Sequence, residues 1–599
     1  MQGGRFSVRA RHGWMRGLAG LACLALVACG GGDTQGPNPG TPSDTTHDDA
    51  DGLPRPDAGT VDGGTQAPSD AGTGSQNDAG TGSPDAGGTD AGTAPLTCAP
   101  TAGDARWVLE GEAFTAKVTC ATGYTAAGLR FGVKNLPAGA TFDESTATLS
   151  WKPALNQGAV WMLTLEERTT GETGTLKVGV ANNDNAPGKV DIVDPVAYTE
   201  EYGLPVVHLF FPPEPGLTSG GYRPAEVVYR GHRYTIEAKY RGATSSVFPK
   251  RSLTLKFAED DLFSEPVFGD GFKDRKRVVL ITTFNDNSYL RSRLAFDLWH
   301  KLSPDAVRIR TFSVVVYANN KFRGLYTAAD HVDKRLMEWN GIDKDSDLFK
   351  ADTADANFSR LTRNGQTKEH LHVGFVKDEG TPDEKQPHAF DTLHDFVAWV
   401  ADSNADGFRQ GFGTKLKARD YEDWWIFNTL IQGNDSQSKN AYHAYDPKTG
   451  GPWRYIPWDL DASFGQNFDT TRTSATARPT YASDNLLFKR MLAEPTIAGP
   501  MRERYRQALK NELSEAAVQA LIDGYVRELG PNAQRDEARW GEEYRNFAKP
   551  STGPDVNEGG YGNFPEWHLR QDFKTHAEEV EYIRQWVHTR WGTFQSNLP

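Results

Sequence analysis

After Cys29 the order of hydrophobic and polar positions along the chain changes texture twice. From Gly30 to about Pro95 there is no period at all. Gly, Asp, Ser, Thr and Pro dominate, and "DAGT" recurs four times. Such a stretch cannot bury enough apolar surface to offset its ordering entropy, so a disordered tether is predicted over 29–97. Short alternating runs follow: "RWVLEGEAFTAKVTC", "LRFGVKN", "TATLSWKP", "VWMLTLEE" and "TGTLKVGVAN". Strands at this spacing predict a small all-β sandwich over 98–187. Beyond it, 190–599 reads as one α+β unit. Strand-like runs such as "LPVVHLFF", "YTIEAKYRG", "RSLTLKF" and "RVVLITTF" come first, the helix "SYLRSRLAFDLWHKL" interrupts, and "FSVVVYANNKFRGLYTAAD" resumes the strands. Helical periods then take over, among them "FDTLHDFVAWVAD", "RDYEDWWIFNTLIQ" and "MRERYRQALKNEL".

One polar stretch breaks the helical part: "NDSQSKNAYHAYDPKTGGPWRYIPWDLD", Asn434 to Asp461. "WWIFNTLIQ" before it is apolar at helical spacing, so Asn434 and Asp435 leave the C-terminal end of a helix. "NAYHAYD" and "PWRYIPWD" read as strands joined by the strong turn "DPKTGG". Adjacent strands of a hairpin lie about 5 Å apart, which brings Asn440 at one outer end close to Asp459 at the other. Asp461 shares the Asp459 face while the strand lasts.

Composition narrows the function. A formal charge of −14 and the absence of a basic stripe with interleaved aromatics exclude nucleic acid as a partner. The first residues carry Arg5, Arg9, Arg11 and Arg16 and then an apolar run, Leu18 to Ala28, too short to span a bilayer. That is a secretory signal, 1–28. "LVAC" resembles the bacterial lipobox, which implies a lipidated Cys29 and a membrane anchor. An extracytoplasmic place at the cell envelope follows, on the outer membrane in a diderm host. Of the four cysteines, Cys98 and Cys120 remain as the spare pair in an oxidising compartment, and a disulfide between them is expected.

The acidic stretch fits phosphoryl transfer. There, one aspartate orients the attacking hydroxyl and an asparagine five residues later binds magnesium. A second aspartate, beyond a hairpin, binds the ion that bridges the phosphates of ATP. Asp435, Asn440 and Asp459 occur in that order. The plainer alternative is a set of loop carboxylates that cap and hydrogen-bond.

"YRGATSSVFPKRSLTLKF", "FNDNSYLRSRLAFDL", "VYANNKFRGLY", "NDSQSKNAY" and "IPWDLDASFG" resemble, in the family's order, motifs of the spore coat protein H (CotH) kinase family. The resemblance runs from roughly Leu204 to Leu598. It implies a two-lobed protein-kinase-like fold, ATP with Mg2+ or Mn2+, and transfer of phosphate to Ser or Thr of a secreted or surface protein. By position, Asp435 matches the catalytic aspartate, Asn440 and Asp459 the metal-binding pair, and Asp461 a helper. Lys250 and Lys256, placed by alternation on one polar face, would reach ATP phosphates, with Arg241, Ser245 and Ser246 at the phosphate-facing turn. A solvated edge strand is the alternative for the two lysines. Asp286, Ser288 and Arg291 open the inserted helix, where capping by Asn287 or Ser288 is the simpler reading. Asp330 stands where the family has a glutamate, and "QGN" replaces a His-Arg pair before Asp435. His331 and His443 read as hydrogen-bonding residues. "LPAGATFDESTATLSWKPALNQGAVWMLTLEE" resembles bacterial Ig-like modules, implying a spacer or adhesion role. Two rivals stay open: a non-catalytic surface adhesion protein, and a cell-envelope glycan hydrolase.

Overall fold

The computed structural model describes residues 98–100, 107–120, 130–168, 171–189, 193–242, 245, 248–546 and 575–599. The expected signal (1–28), the tether (29–97) with Cys29, and Ser246 lie outside the described residues. What is described is an α+β protein.

Strands β1 (Cys98–Pro100), β2 (Trp107–Leu109), β3 (Phe114–Cys120), β4 (Phe131–Lys134), β5 (Thr141–Asp143), β6 (Thr148–Trp151), β7 (Ala159–Glu167) and β8 (Thr173–Ala181) form two four-stranded sheets. Their orders are β1-β3-β6-β5 and β2-β8-β7-β4. Leu149 and Trp151 of the first pack with Leu163, Leu165, Leu176 and Val178 of the second. The period of two puts exactly these apolar residues on the inner faces. The backbone register sets Cys98 opposite Cys120.

A third sheet is built from β9 (Glu200–Glu201), β10 (Leu204–Phe210), β11 (Arg223–Tyr229), β12 (His232–Arg241), β13 (Ser252–Phe257), β14 (Arg277–Thr282), β15 (Thr311–Ala318) and β16 (Lys321–Asp330). β10 runs parallel to β15 on one side and antiparallel to β11 on the other, so the ladder closes on itself as β10-β11-β12-β13-β14-β16-β15. Closure removes free edges from seven strands. Every second residue points to one shared core: Val207 and Leu209, Tyr234 and Ile236, Leu253 and Leu255, Val314 and Val316, Tyr326 and Ala328. β13 therefore has neighbours on both sides and is no edge, and Ser252 and Thr254 on its other face are buried too.

The outer faces of β10, β14, β15 and β16 supply Val206, Val279, Val315 and Leu325 to a larger core shared with the helices. A four-stranded sheet, ordered β18-β17-β19-β20, joins that core: β17 (Asp347–Ala351), β18 (Phe375–Glu379), β19 (Ala441–Tyr445) and β20 (Arg454–Pro457). Helix Ala418–Ile431 is buried nearly all round from Tyr421 onward, with Trp424 and Trp425 fully buried, because neighbours enclose it, and its buried Asp420 and Asp423 are paired with Arg454 and Arg504. No helix among the described residues is long and apolar enough to cross a membrane.

Candidate active site

Helix Ala418–Ile431 ends on Gln432 in the left-handed region, φ 55°, and the chain leaves it into the loop that carries Asp435. That loop is tied down at its far end. The Asn440 N–H donates to the Ala351 carbonyl at 2.8 Å, and the Trp458 N–H donates to the Asn440 carbonyl at 3.2 Å. The hairpin β19–β20, in register Ala441 to Pro457, thus brings Asn440 beside the residue that precedes Asp459. Asn440 and Asp459 both have φ 56°. Asn and Asp tolerate this conformation better than other side chains, and strained backbone of this kind gathers at functional sites.

Side chains complete the cluster. The Asn440 amide donates to Asp435 Oδ2 at 2.8 Å, and Lys439 Nζ lies 2.9 Å from Asp435 Oδ1. Burial pushes the Asp435 carboxyl above its ordinary range, and Asp459 adds to this while Lys439 opposes it. Asp461 accepts a hydrogen bond from the Asn285 amide at 2.5 Å. Its carboxyl is pushed up to about 7 by burial first, then by the charges of Asp459, Asp435 and Asp286. The Asp459 carboxylate is exposed and has no hydrogen bond or ion pair among the described residues. Asn440 Oδ1 likewise has none. Oxygen donors on Asn440, Asp459 and Asp461 suit a hard divalent cation. Among the described residues, no three His, Cys, Asp or Glu side chains converge enough to hold a metal ion by themselves.

The residues drawn from the glycine-containing turn divide. Arg241 ends β12 with its guanidinium 5.2 Å from the centre of the Trp458 ring, next to Asp459. Ser245 Oγ donates to the Arg241 carbonyl at 3.4 Å. Gly242, at φ 98°, permits this turn, since a Cβ there would lie 1.9 Å from Ser245 Oγ. Lys250 precedes β13 instead of lying on it. It is wholly buried, 2.5 Å from Asp536 Oδ1 and 3.0 Å from Thr283 Oγ1. Burial lowers its ammonium to about 8 against the pull of Asp536. Asn285, which bonds Asp461, is two residues on from Thr283. Lys256 sits at the other end of β13, 3.3 Å from Glu237, so the two lysines are not brought together.

The helix Arg291–Leu302 is entered through Asp286, whose carboxylate accepts from the Arg291 N–H at 2.8 Å and from its guanidinium at 2.6 Å. Ser288 donates to Asp286. The N-cap position, Leu290, makes no side-chain cap, so the first helical N–H is held from outside the helix by Asp286, while Ser288 Oγ accepts from the Leu290 N–H at 3.2 Å. Asp330 is buried and accepts from Arg275 at 2.6 Å and the Arg310 N–H at 2.8 Å. His443 is fully buried, its ring 3.1 Å from the Tyr421 hydroxyl. His331 lies 3.7 Å from Asp333.

Sequence reasoning passed over Lys439, Asn285 and Asp536. Lys439 is adjacent to Asn440, and Asn285 stands in the polar run "FNDN" before a helix, so both had a local signal. Asp536 had none, being 286 residues from Lys250. A cavity of about 400 Å³ lined by Arg502, Arg506 and residues 594–599 shares no residue with the cluster.

A family model described as CotH kinase protein matches residues 238–593, more than half the chain and every residue of the cluster. The chain belongs to the CotH kinase family. The CotH match begins within β12, so the sandwich and the strands β9 to β11 lie outside it. Among curated proteins the chain is similar to the inner spore coat protein H of Bacillus subtilis (strain 168). The two are 23% identical over 253 residues, which is 42% of this chain and 65% of that protein. The matched region thus spans a little under two thirds of the relative's length.

Proposed function

We propose that this CotH-family chain is an extracytoplasmic, lipid-anchored protein kinase that transfers phosphate from ATP to Ser or Thr of secreted or surface proteins. In this reading the closed barrel and the helical part are its two kinase-like lobes, and the N-terminal sandwich is an Ig-like spacer. The observation that carries the proposal is the pairing of Asp435 with Asn440 on one loop, with Asp459 brought beside Asn440 by the hairpin.

The donor set fits a magnesium or manganese ion: Asn440 offers Oδ1, since its amide nitrogen is committed to Asp435, and Asp459 offers a carboxylate with no partner among the described residues. Asp461 stands behind them, held by Asn285. A bound ion would neutralise phosphate charge, and phosphate oxygens would complete its shell, which is why two or three protein ligands suffice. Asp435 accepts the hydrogen bond of the acceptor hydroxyl and aims its oxygen for in-line attack. A carboxyl pushed upward by burial is a stronger base for that task than an exposed one. Arg241 and Ser245 line the turn where phosphates would lie. Lys250 reaches that region only by leaving or sharing Asp536. The coat location in the relative's name accords with an envelope or coat setting here.

The test is phosphate incorporation, read by mass spectrometry, into the protein itself and a Ser/Thr-rich acceptor with ATP and Mg2+ or Mn2+. Incorporation that vanishes in Asp435→Ala supports the proposal. No incorporation and no nucleotide binding would overturn it in favour of an adhesion protein, and release of glycan fragments would favour a hydrolase.

A further inference from the structure

The helix His576–Ser596 presents Glu579, Tyr582, Trp586 and Arg590 at spacings of three, four and four, which puts them on one face. That face is bonded to the segment that follows Asp461. Glu579 bridges the buried Arg291 at 2.6 Å and Arg472 at 2.6 Å. The Tyr582 hydroxyl donates to the Gly465 carbonyl at 2.8 Å, and Trp586 Nε1 to the Thr473 carbonyl at 3.1 Å. Gly465 is left-handed, φ 89°, and a Cβ there would meet the Tyr582 hydroxyl at 2.5 Å. The approach is therefore closed to any larger residue.

Arg590 differs from the other three. Its guanidinium is wholly buried, and among the described residues no carboxylate pairs with it. It donates only to main-chain carbonyls: Thr429 and Leu430 at the end of helix Ala418–Ile431, and Ala475 and Ala477 in the segment after Asp461. The first pair lies on the last turn before the Asp435 loop, where a cation satisfies terminal carbonyls and the helix dipole. The second pair terminates the stretch that begins at Asp459. A fully desolvated charge spent on four carbonyls is costly unless it fixes geometry.

We propose that Arg590 is a positioning residue, whose guanidinium couples the loop carrying Asp435 to the segment that follows Asp461 so that the C-terminal helix sets the two aspartate loops against each other. Charge and reach are both needed, since a lysine keeps the charge but cannot span two main-chain segments with one planar fork. The catalytic consequence rests on the kinase reading; the coupling itself does not.

The experiment compares the full chain with Arg590→Met and Arg590→Lys by hydrogen exchange and by phosphotransfer. In both variants exchange should rise together in 432–440 and in 464–477, while the barrel strands stay protected. The maximal phosphotransfer rate should fall by on the order of ten- to a hundredfold with the ATP KM nearly unchanged, and Arg590→Lys should recover only part of it. If Arg590→Met does not fold, Tyr582→Phe, which removes a single donor to Gly465, should raise exchange in 464–477 and, through Arg590, in 432–440. Exchange that rises in one segment alone, or in neither, overturns the proposal. If the wild type shows no phosphotransfer and the variants still show the joint rise, the coupling stands and the kinase reading falls instead.

Discussion

Asn440 and Asp459 hold a backbone conformation that most residues avoid, and they do so at the two ends of one hairpin. The backbone and ligand roles can be separated by substitution. Asn440→Gly should fold with near-wild-type stability and lose much of the metal-dependent part of nucleotide binding. Asn440→Ala should lose the same binding and also about 1 kcal/mol of stability, because alanine, unlike asparagine or glycine, is disfavoured in the left-handed region. Urea denaturation beside calorimetry reads both; equal stability of the two variants would contradict the backbone argument. His443 gives a pH prediction. Burial among aromatic rings holds its imidazole down to about 3, far below its ordinary 6.5. The folded state thus keeps it neutral. Its contribution to stability is complete above pH 6.5 and is lost as pH falls toward 3, because the unfolded chain takes up the proton first. His443→Phe should flatten the acid side of the melting-temperature profile between those limits. An unchanged slope would show that other groups dominate acid unfolding.

At the scale of elements, the helical segment Glu515–Asn546, broken by a kink at Gly530, is joined to the barrel through Asp536. This carboxylate accepts from Lys250, from the Leu325 N–H at 2.7 Å and from the Tyr544 hydroxyl at 2.7 Å. Asp536→Ala leaves a buried ammonium uncompensated and should destabilise the protein by about 3–5 kcal/mol. Lys250→Met with Asp536→Leu should recover most of that. If the double variant is no better than the single in denaturant unfolding, the ion pair is not the source of the loss. The hairpin β19–β20 was legible in advance, since "DPKTGG" can hardly be anything but a turn and apolar strands flank it. Barrel closure was not. It depends on the parallel pairing of β10 with β15, about a hundred residues apart in sequence, which no local period records. β17 and β18 were missed for a plainer reason: "DLFKA" and "FVKDE" are five residues each, with charges inside them. The lysine argument failed in part because Lys250 precedes β13, so alternation along the strand does not govern it.

For the whole molecule, the chain's own sequence located Asp435, Asn440, Asp459 and Asp461, because one stretch of 28 residues from Asn434 to Asp461 holds all four. It could not locate Asp536 or Arg590, which bond the elements flanking that stretch and the barrel from late in the chain as single residues in ordinary helical periods. The proposed export makes a further prediction. Cys98 and Cys120 stand opposite in the β1–β3 ladder, where the Cα separation suits a disulfide. Peptide mapping without reductant should recover them linked, and two free thiols would contradict an oxidising compartment for this module. The central claim is that Asp435, Asn440 and Asp459 form one phosphoryl-transfer site with divided roles. Its most direct measurement is calorimetric titration of wild type, Asp435→Ala and Asp459→Ala with ATP, with and without Mg2+ or Mn2+. Wild type and Asp435→Ala should bind ATP with similar, metal-dependent affinity, while Asp459→Ala loses the metal-dependent part. Failure of the wild type to bind ATP under any of these conditions would contradict the account.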